Sequence, residues 1–316
     1  MPNETLEQIA ARLRETLSLA DICTICMLVF YTVLNVLYFA HVEHAAMNIV
    51  ANISLSAALI GLALADSYAP SQPITIMRKF FLTPGLFFVY GQAHIYIHLV
   101  NPVDVDTKLI AIDYALFGVH PTQWLYQFTH PVLTELLQIA YCCYFFIPLV
   151  IGIELYVRKD FEQFMMYAFV LSFSFYLSYL LYFFTPAVGP CFTLHSFSTL
   201  KIEMPGLWAT DFLRDIVNGG SGIPPTSKNP VLTAHRNCMP SGHTMITVVN
   251  LVVAYRVKSR FRGVILMLGI CIIISTVYLR YHYVIDVIAG IAAAICSLVI
   301  ALRMRAWFQC KGFVQA

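Results

Sequence analysis

Apolar stretches of about twenty residues recur along the chain, at roughly 19–40, 46–65, 78–99, 131–156, 161–185, 243–257, 262–281 and 283–303. Each is near the length an α-helix needs to cross ~30 Å of hydrocarbon, with 243–257 at the short edge. The pattern predicts an all-α fold, a polytopic membrane helical bundle of about eight spans. Residues 1–18 alternate acids and arginines (Glu4, Glu7, Arg12, Arg14, Glu15), which predicts an amphipathic lead-in on the membrane surface. The apolar run after it lacks a small-residue cleavage site and reads as an anchor. Two connections are too long to be mere linkers. Residues 101–130 carry Asp104, Asp106, Asp113, Trp124 and a Phe117-Gly118-Val119-His120-Pro121 turn, with apolar positions that suggest an interfacial helix. Residues 186–242 are rich in Gly, Pro and Ser. With no internal repeat or low-complexity tract, the chain reads as one domain. Residues 1–75 supply the lead-in and two added spans, and 76–316 form a core of six with loops 101–130 and 186–242.

Composition strengthens this picture. Of 316 residues, 59% are hydrophobic and only 11% charged, with a mean hydropathy of +0.74. A soluble chain carries charge near ~25% of its residues. The net charge of +2 says little, but its placement does. Alternating spans collect Arg12, Arg14, Arg78, Lys79, Arg158, Lys159, Arg256, Lys258, Arg260, Arg262, Arg303, Arg305 and Lys311 on one side, against Lys108, Lys201, Arg214, Lys228, Arg236 and Arg280 on the other. Lys and Arg favour the cytoplasmic side, so both termini are expected there and the long loops outside. The basic residues sit dispersed at span ends, which excludes a nucleic-acid footprint. Most of the nine cysteines lie in apolar stretches and read as small hydrophobes; Cys23 and Cys26 have redox-motif spacing but fall within a span. Without retention or lipidation signals, the chain is expected in a bacterial inner membrane, among membrane lipids.

The chemistry concentrates in two places. His235-Arg236-Asn237-Cys238-Met239-Pro240-Ser241-Gly242-His243-Thr244 stands just before the sixth span. Ser241 is a good helix N-cap, Gly242 lets a ligand approach the backbone, and a helix starting here aims N–H groups at an anion. His243 in its first turn can exchange a proton. The second cluster, Arg280-Tyr281-His282-Tyr283-Val284-Ile285-Asp286, joins the last two spans. The spacing of four places His282 and Asp286 on one helix face, where a carboxylate orients an imidazole. On the charge-derived topology both clusters reach the external side.

Together, Pro240-Ser241-Gly242-His243 and His282-x-x-x-Asp286 resemble the type 2 phosphatidic acid phosphatase superfamily. Tyr278 to Tyr283, and Asp113-x-x-Leu116-Phe117-Gly118 leading to Trp124, Pro131 and Tyr141, are similar to its inositolphosphotransferase-like branch. The resemblance spans about 80–300 and implies that the six-span core is phosphatase-like. It implies a phosphatase or phosphotransferase acting on a lipid phosphate, without cofactor or metal. It also implies that His282 attacks phosphorus to give a phosphohistidine, oriented by Asp286, while His243 serves as general acid and base. Ser241, the Gly242 backbone and basic side chains would bind the phosphoryl oxygens. The chain departs from the family twice. The branch places a cation after a Gly-Pro, but here Gly189-Pro190 is followed by Cys191. The superfamily places an arginine six residues before the nucleophile, where this chain has Thr276. Arg280, one helical turn beyond Thr276, is the expected replacement on a continuing helix, with Arg236 second and Lys201 and Lys228 more remote.

Other residues carry two readings. Gln92, His94 and His98 either line the site or satisfy helix contacts. Asp113 reads as a loop residue that caps or pairs with Arg. Cys191 and Cys238, both external, leave a disulfide open. Three functional classes remain: a lipid phosphatase, a head-group transferase with an alcohol acceptor, and a non-catalytic lipid-binding or transport relative. Transporters often show inverted repeats, and none is detected in this sequence.

Overall fold

The computed structural model describes residues 5–224 and 226–310. Glu4 and Lys311 of the charge pattern lie outside them. All eight apolar stretches are helical, and the described residues contain no strand. Among the described residues, five helices are long and apolar enough to cross a membrane: Leu19–Leu37, Ala45–Tyr68, Pro131–Val157, Phe161–Leu181 and Val284–Cys310. Arg262–Tyr278 is a shorter apolar helix, and Gly242–Arg256 has fifteen residues. Large apolar side chains remain exposed along these helices, among them Val29, Val33, Ile53, Ile270 and Ile274, as expected where lipid is the solvent. The protein is a polytopic membrane helical bundle.

Local chemistry sets the boundaries. The amphipathic lead-in is the helix Leu6–Thr16, opened by a capping box between Thr5 and Gln8. Ser18 and Asp21 form a second box at the start of Leu19–Leu37. Lys159 and Lys258 take left-handed conformations (φ 57° and 52°) in the short basic turns that separate successive helices.

The chain divides into two compact units. One comprises residues 1–96, 159–176 and 297–316, the other 97–158 and 177–296. In the first, Leu19–Leu37 packs on Ala45–Tyr68. Asn35 and Asn52 each donate to the Gln92 carbonyl at 3.2 Å, and Gln92 donates back to Asn52 at 2.6 Å. Gln92 thus satisfies helix contacts, and His94 lies edge-on to Tyr90, 4.3 Å between ring centres.

In the second unit, Gly242–Arg256 packs on Arg262–Tyr278, which packs on Pro131–Cys142. The 101–130 connection contains the expected helix, Asp106–Phe117, ended by Gly118 at φ 71°. Among its described residues, the 186–242 connection holds four short α-helices, Pro190–Thr193, Leu200–Glu203, Thr210–Gly220 and Pro230–Thr233. Buried Glu135 accepts the backbone N–H groups of Leu207, Ala209 and Thr210 at 2.9, 2.7 and 3.1 Å. The Ala209 and Thr210 groups are otherwise unpaired donors at the start of Thr210–Gly220.

Candidate active site

Two segments far apart in sequence are joined here through their backbones. Ser241 caps Gly242–Arg256, its hydroxyl accepting the Thr244 N–H at 3.3 Å. Its own N–H donates to the Asp286 carbonyl at 3.0 Å. Gly290 makes this approach possible, because a Cβ there would stand 2.7 Å from the Ser241 carbonyl oxygen. Gly242 opens the helix beside the Tyr182 hydroxyl. His243 is stacked on Tyr141 (4.3 Å, 22°) and tilted against Tyr144 (4.3 Å, 40°). Its Nδ1 lies 3.3 Å from the Tyr141 hydroxyl, and its Nε2 has no hydrogen-bond partner among the described residues. The rings of His243 and His282 are 6.2 Å apart.

His282 does not sit on the helix that carries Asp286. Arg262–Tyr278 ends first, Arg280 takes a left-handed conformation at φ 66°, and the last helix begins at Val284. The N–H groups of Tyr281 and His282 both donate to the Thr276 carbonyl, at 3.0 and 2.9 Å. The shared helix face expected from sequence is therefore replaced by a turn. So is the continuing helix that was to place Arg280 over Thr276. Asp113 caps the new helix, its two oxygens accepting the Val284 and Ile285 N–H groups at 2.8 Å each. Burial pushes its carboxyl up and these two bonds pull it down, with the upward shift the larger. Of its two sequence readings, the cap is the one formed.

The turn gives His282 an unexpected principal partner. Its Nδ1 is 2.8 Å from the Cys238 carbonyl oxygen and 3.5 Å from Asp286 Oδ2. A carbonyl can only accept, so Nδ1 carries the proton and the lone pair stands on Nε2. Asp286, fully buried, accepts instead from the Cys238 thiol at 2.8 Å and the Tyr283 N–H at 2.9 Å. Burial first, then the Asp286 and Asp106 carboxylates, hold the Cys238 thiol well above its ordinary pKa. Cys191 and Cys238 are both free thiols, and burial pushes Cys191 up to about 12.

Asp106 ties the Gly-Pro turn to this cluster. It accepts from Val188 N–H at 3.0 Å, Gly189 N–H at 2.8 Å and the Tyr283 hydroxyl at 2.8 Å. Gly189 is at φ 98°, and a Cβ on it would lie 2.8 Å from the Tyr281 carbonyl oxygen. The Cys191 N–H donates to the Arg280 carbonyl at 3.1 Å. Arg280 is thus beside the position where the family carries its cation. Its guanidinium, almost wholly buried, is paired with Glu203 and lies over the Tyr126 ring at 5.1 Å. Arg236 bonds the Ala234 and Leu232 carbonyls at 2.6 and 3.3 Å and stands 3.5 Å from Asp104. Lys201 pairs with Asp215 at 3.2 Å.

Sequence reading missed Tyr144, Glu203 and Arg214. Arg214 is 2% exposed and donates to the Met204 carbonyl at 3.0 Å; an arginine one turn after Asp211 on a short amphipathic helix was the only signal. It also missed that Cys238, His282 and Asp286 bring a thiol, an imidazole nitrogen and a carboxylate oxygen within 4.8 Å of one another. Cys238 precedes His282 by 44 residues, so no metal-ligand spacing appears in the sequence.

Residues 107–300 match the PAP2 superfamily. The chain belongs to that superfamily. It is also similar to the phosphoinositol dihydroceramide synthase of Bacteroides thetaiotaomicron, at 26% identity over 228 residues, covering 66% of this chain and 72% of the relative. No solved structure matches. The superfamily match covers His243, His282 and Asp286, in agreement with the branch resemblance in the sequence. The protein is an integral membrane enzyme of the phosphatase and phosphotransferase type.

Proposed function

We propose that this superfamily member transfers a phosphate-linked lipid head group to an alcohol through a covalent intermediate on His282. The observation that carries the reading is the pairing of His282 Nδ1 with the Cys238 carbonyl at 2.8 Å, opposite His243 at 6.2 Å. It leaves the Nε2 lone pair for phosphorus. In the first step Nε2 bonds to phosphorus and the bond to the leaving oxygen breaks; His243, protonated on its unpartnered Nε2, gives that oxygen its proton. In the second step neutral His243 takes the proton of the acceptor hydroxyl, whose oxygen displaces His282. Asp286 acts as a positioning residue through the Cys238 thiol and the Tyr283 N–H. The first-turn N–H groups after Ser241 supply oxyanion stabilisation. Arg280, ion-paired with Glu203, stands in for the missing family cation.

The relative's name favours an inositol-phosphate head group and a sphingoid alcohol acceptor over water. Tyr141, Tyr144 and Tyr281 wall the site with aromatic rings, which favours a lipid alcohol. The excess of Lys and Arg on one side of the spans, thirteen of nineteen, supports a site on the external face of an inner membrane with cytoplasmic termini. The test uses purified protein, head-group-labelled phospholipid and a ceramide-class acceptor, beside His282→Ala. Label moving to the acceptor in wild type alone is the expected result. Label released as soluble phosphate or head-group phosphate, with no labelled acceptor, makes the protein a hydrolase. A trapped intermediate that survives acid and is lost in base excludes attack by histidine.

A further inference from the structure

Cys238, His282 and Asp286 combine the three donor types that zinc-class ions accept in one site: thiolate, imidazole and carboxylate. Their spacing also suits such an ion. Nδ1 of His282 lies 3.5 Å from the Cys238 sulfur and 3.5 Å from Asp286 Oδ2. A tetrahedral zinc with bonds of about 2.3 Å to sulfur and about 2.0–2.1 Å to nitrogen or oxygen sets its donors roughly 3.3–3.6 Å apart. The third edge, sulfur to Oδ2, is 2.8 Å because the thiol donates a hydrogen bond across it. Loss of that proton removes the contraction. A second observation points to a ligand: Asp286 is fully buried, yet its Oδ1 has no partner among the described residues. Such a carboxylate keeps acceptor capacity that hydrogen bonding has not used.

We propose that these three residues form an inhibitory site for a thiophilic divalent cation, which silences His282 by taking its Nδ1; the inhibitory part rests on the reading of His282 as nucleophile. The proton balance defines the effect. The metal–sulfur bond replaces S–H, and that proton leaves to solvent. Nδ1 gives up its bond to the Cys238 carbonyl to hold the metal, and its proton passes to Nε2. One proton is released per ion, and the lone pair required for attack is gone. The fourth coordination position is left open, as in sites that keep an exchangeable ligand.

The experiment uses the full chain in detergent, with Co2+ as the probe metal and Zn2+ as its competitor. Wild type is expected to bind one Co2+ per chain with a thiolate-to-cobalt charge-transfer band, which Zn2+ abolishes. Cys238→Ser should lose the band. Asp286→Asn should keep it while weakening binding by roughly 10–100-fold. Cys143→Ser, outside the cluster, should titrate like wild type, and a melt of each variant shows that it is folded. In turnover, Zn2+ should block wild type reversibly on addition of a chelator, while Cys238→Ser requires at least ~10-fold more Zn2+ for half inhibition. Absence of the band in wild type, or an unchanged band in Cys238→Ser, overturns the site whether or not the protein turns over. Binding that leaves turnover unaffected overturns the inhibition. A Co2+ band in a protein inactive on every lipid phosphate would instead count against the proposed transferase.

Discussion

Adding one methyl group at Gly290 tests whether the two histidines depend on the contact between their segments. A Cβ at this position would lie 2.7 Å from the Ser241 carbonyl oxygen, 3.1 Å from Thr244 Cβ and 3.4 Å from the Met245 nitrogen. Two of these atoms are helix backbone, so no flexible side chain can swing away. Restoring ordinary contact near 3.4 Å requires the segments to part by about 0.7 Å. That movement stretches the bond from the Ser241 N–H to the Asp286 carbonyl, now 3.0 Å, and shifts His243 relative to His282. Overpacking costs about 1–3 kcal/mol. A misplacement of ~1 Å at reacting groups costs on the order of 100-fold in rate, so Gly290→Ala should lower kcat by roughly 10–50-fold while KM changes less than about twofold. Steady-state kinetics on the labelled lipid gives the split, and denaturant titration in mixed micelles gives the stability. Gly61→Ala is the control: nothing lies within 4 Å of its Cβ position, inside Ala45–Tyr68. It should leave kcat unchanged and gain up to ~1 kcal/mol from helix propensity. Wild-type kcat and stability in Gly290→Ala would refute the claim that this contact sets the register.

Two further outcomes follow from the site's supports. Asp113→Ala leaves the Val284 and Ile285 N–H groups without their acceptor; it should cost about 2–3 kcal/mol by denaturant titration, with Asp113→Asn losing less. Acid should weaken the fold through His195 and His235, whose folded pKa values are lowered by burial from 6.5 to about 4. Each then binds its proton more readily unfolded, so stability is full above pH 6.5 and declines as pH falls from 6.5 toward 4. Unfolding curves across that range should flatten in a His195→Gln/His235→Gln double variant, and an unchanged slope would contradict the assignment.

The chain's patterning was enough to define an all-helical membrane protein, because apolar runs of spanning length have no soluble alternative and carry their own backbone hydrogen bonds. The candidate site residues stood out for a similar reason: Pro240-Ser241-Gly242-His243 and His282-x-x-x-Asp286 are local in sequence and chemically unusual at span ends. Ser241 capping and the Asp106–Phe117 helix likewise depend on neighbours a few positions away. Tertiary structure alone decided who partners whom. Asp113 caps a helix 171 residues later, Cys238 reaches His282 and Asp286 across more than forty positions, and Glu203 claims Arg280. The last helix begins after His282 because the Asp113 cap and the left-handed turn at Arg280 supply the bonds that extending the preceding helix would have made. Local propensity sees only nearby residues, whereas buried donors and acceptors must be satisfied by whatever the fold brings within about 3 Å.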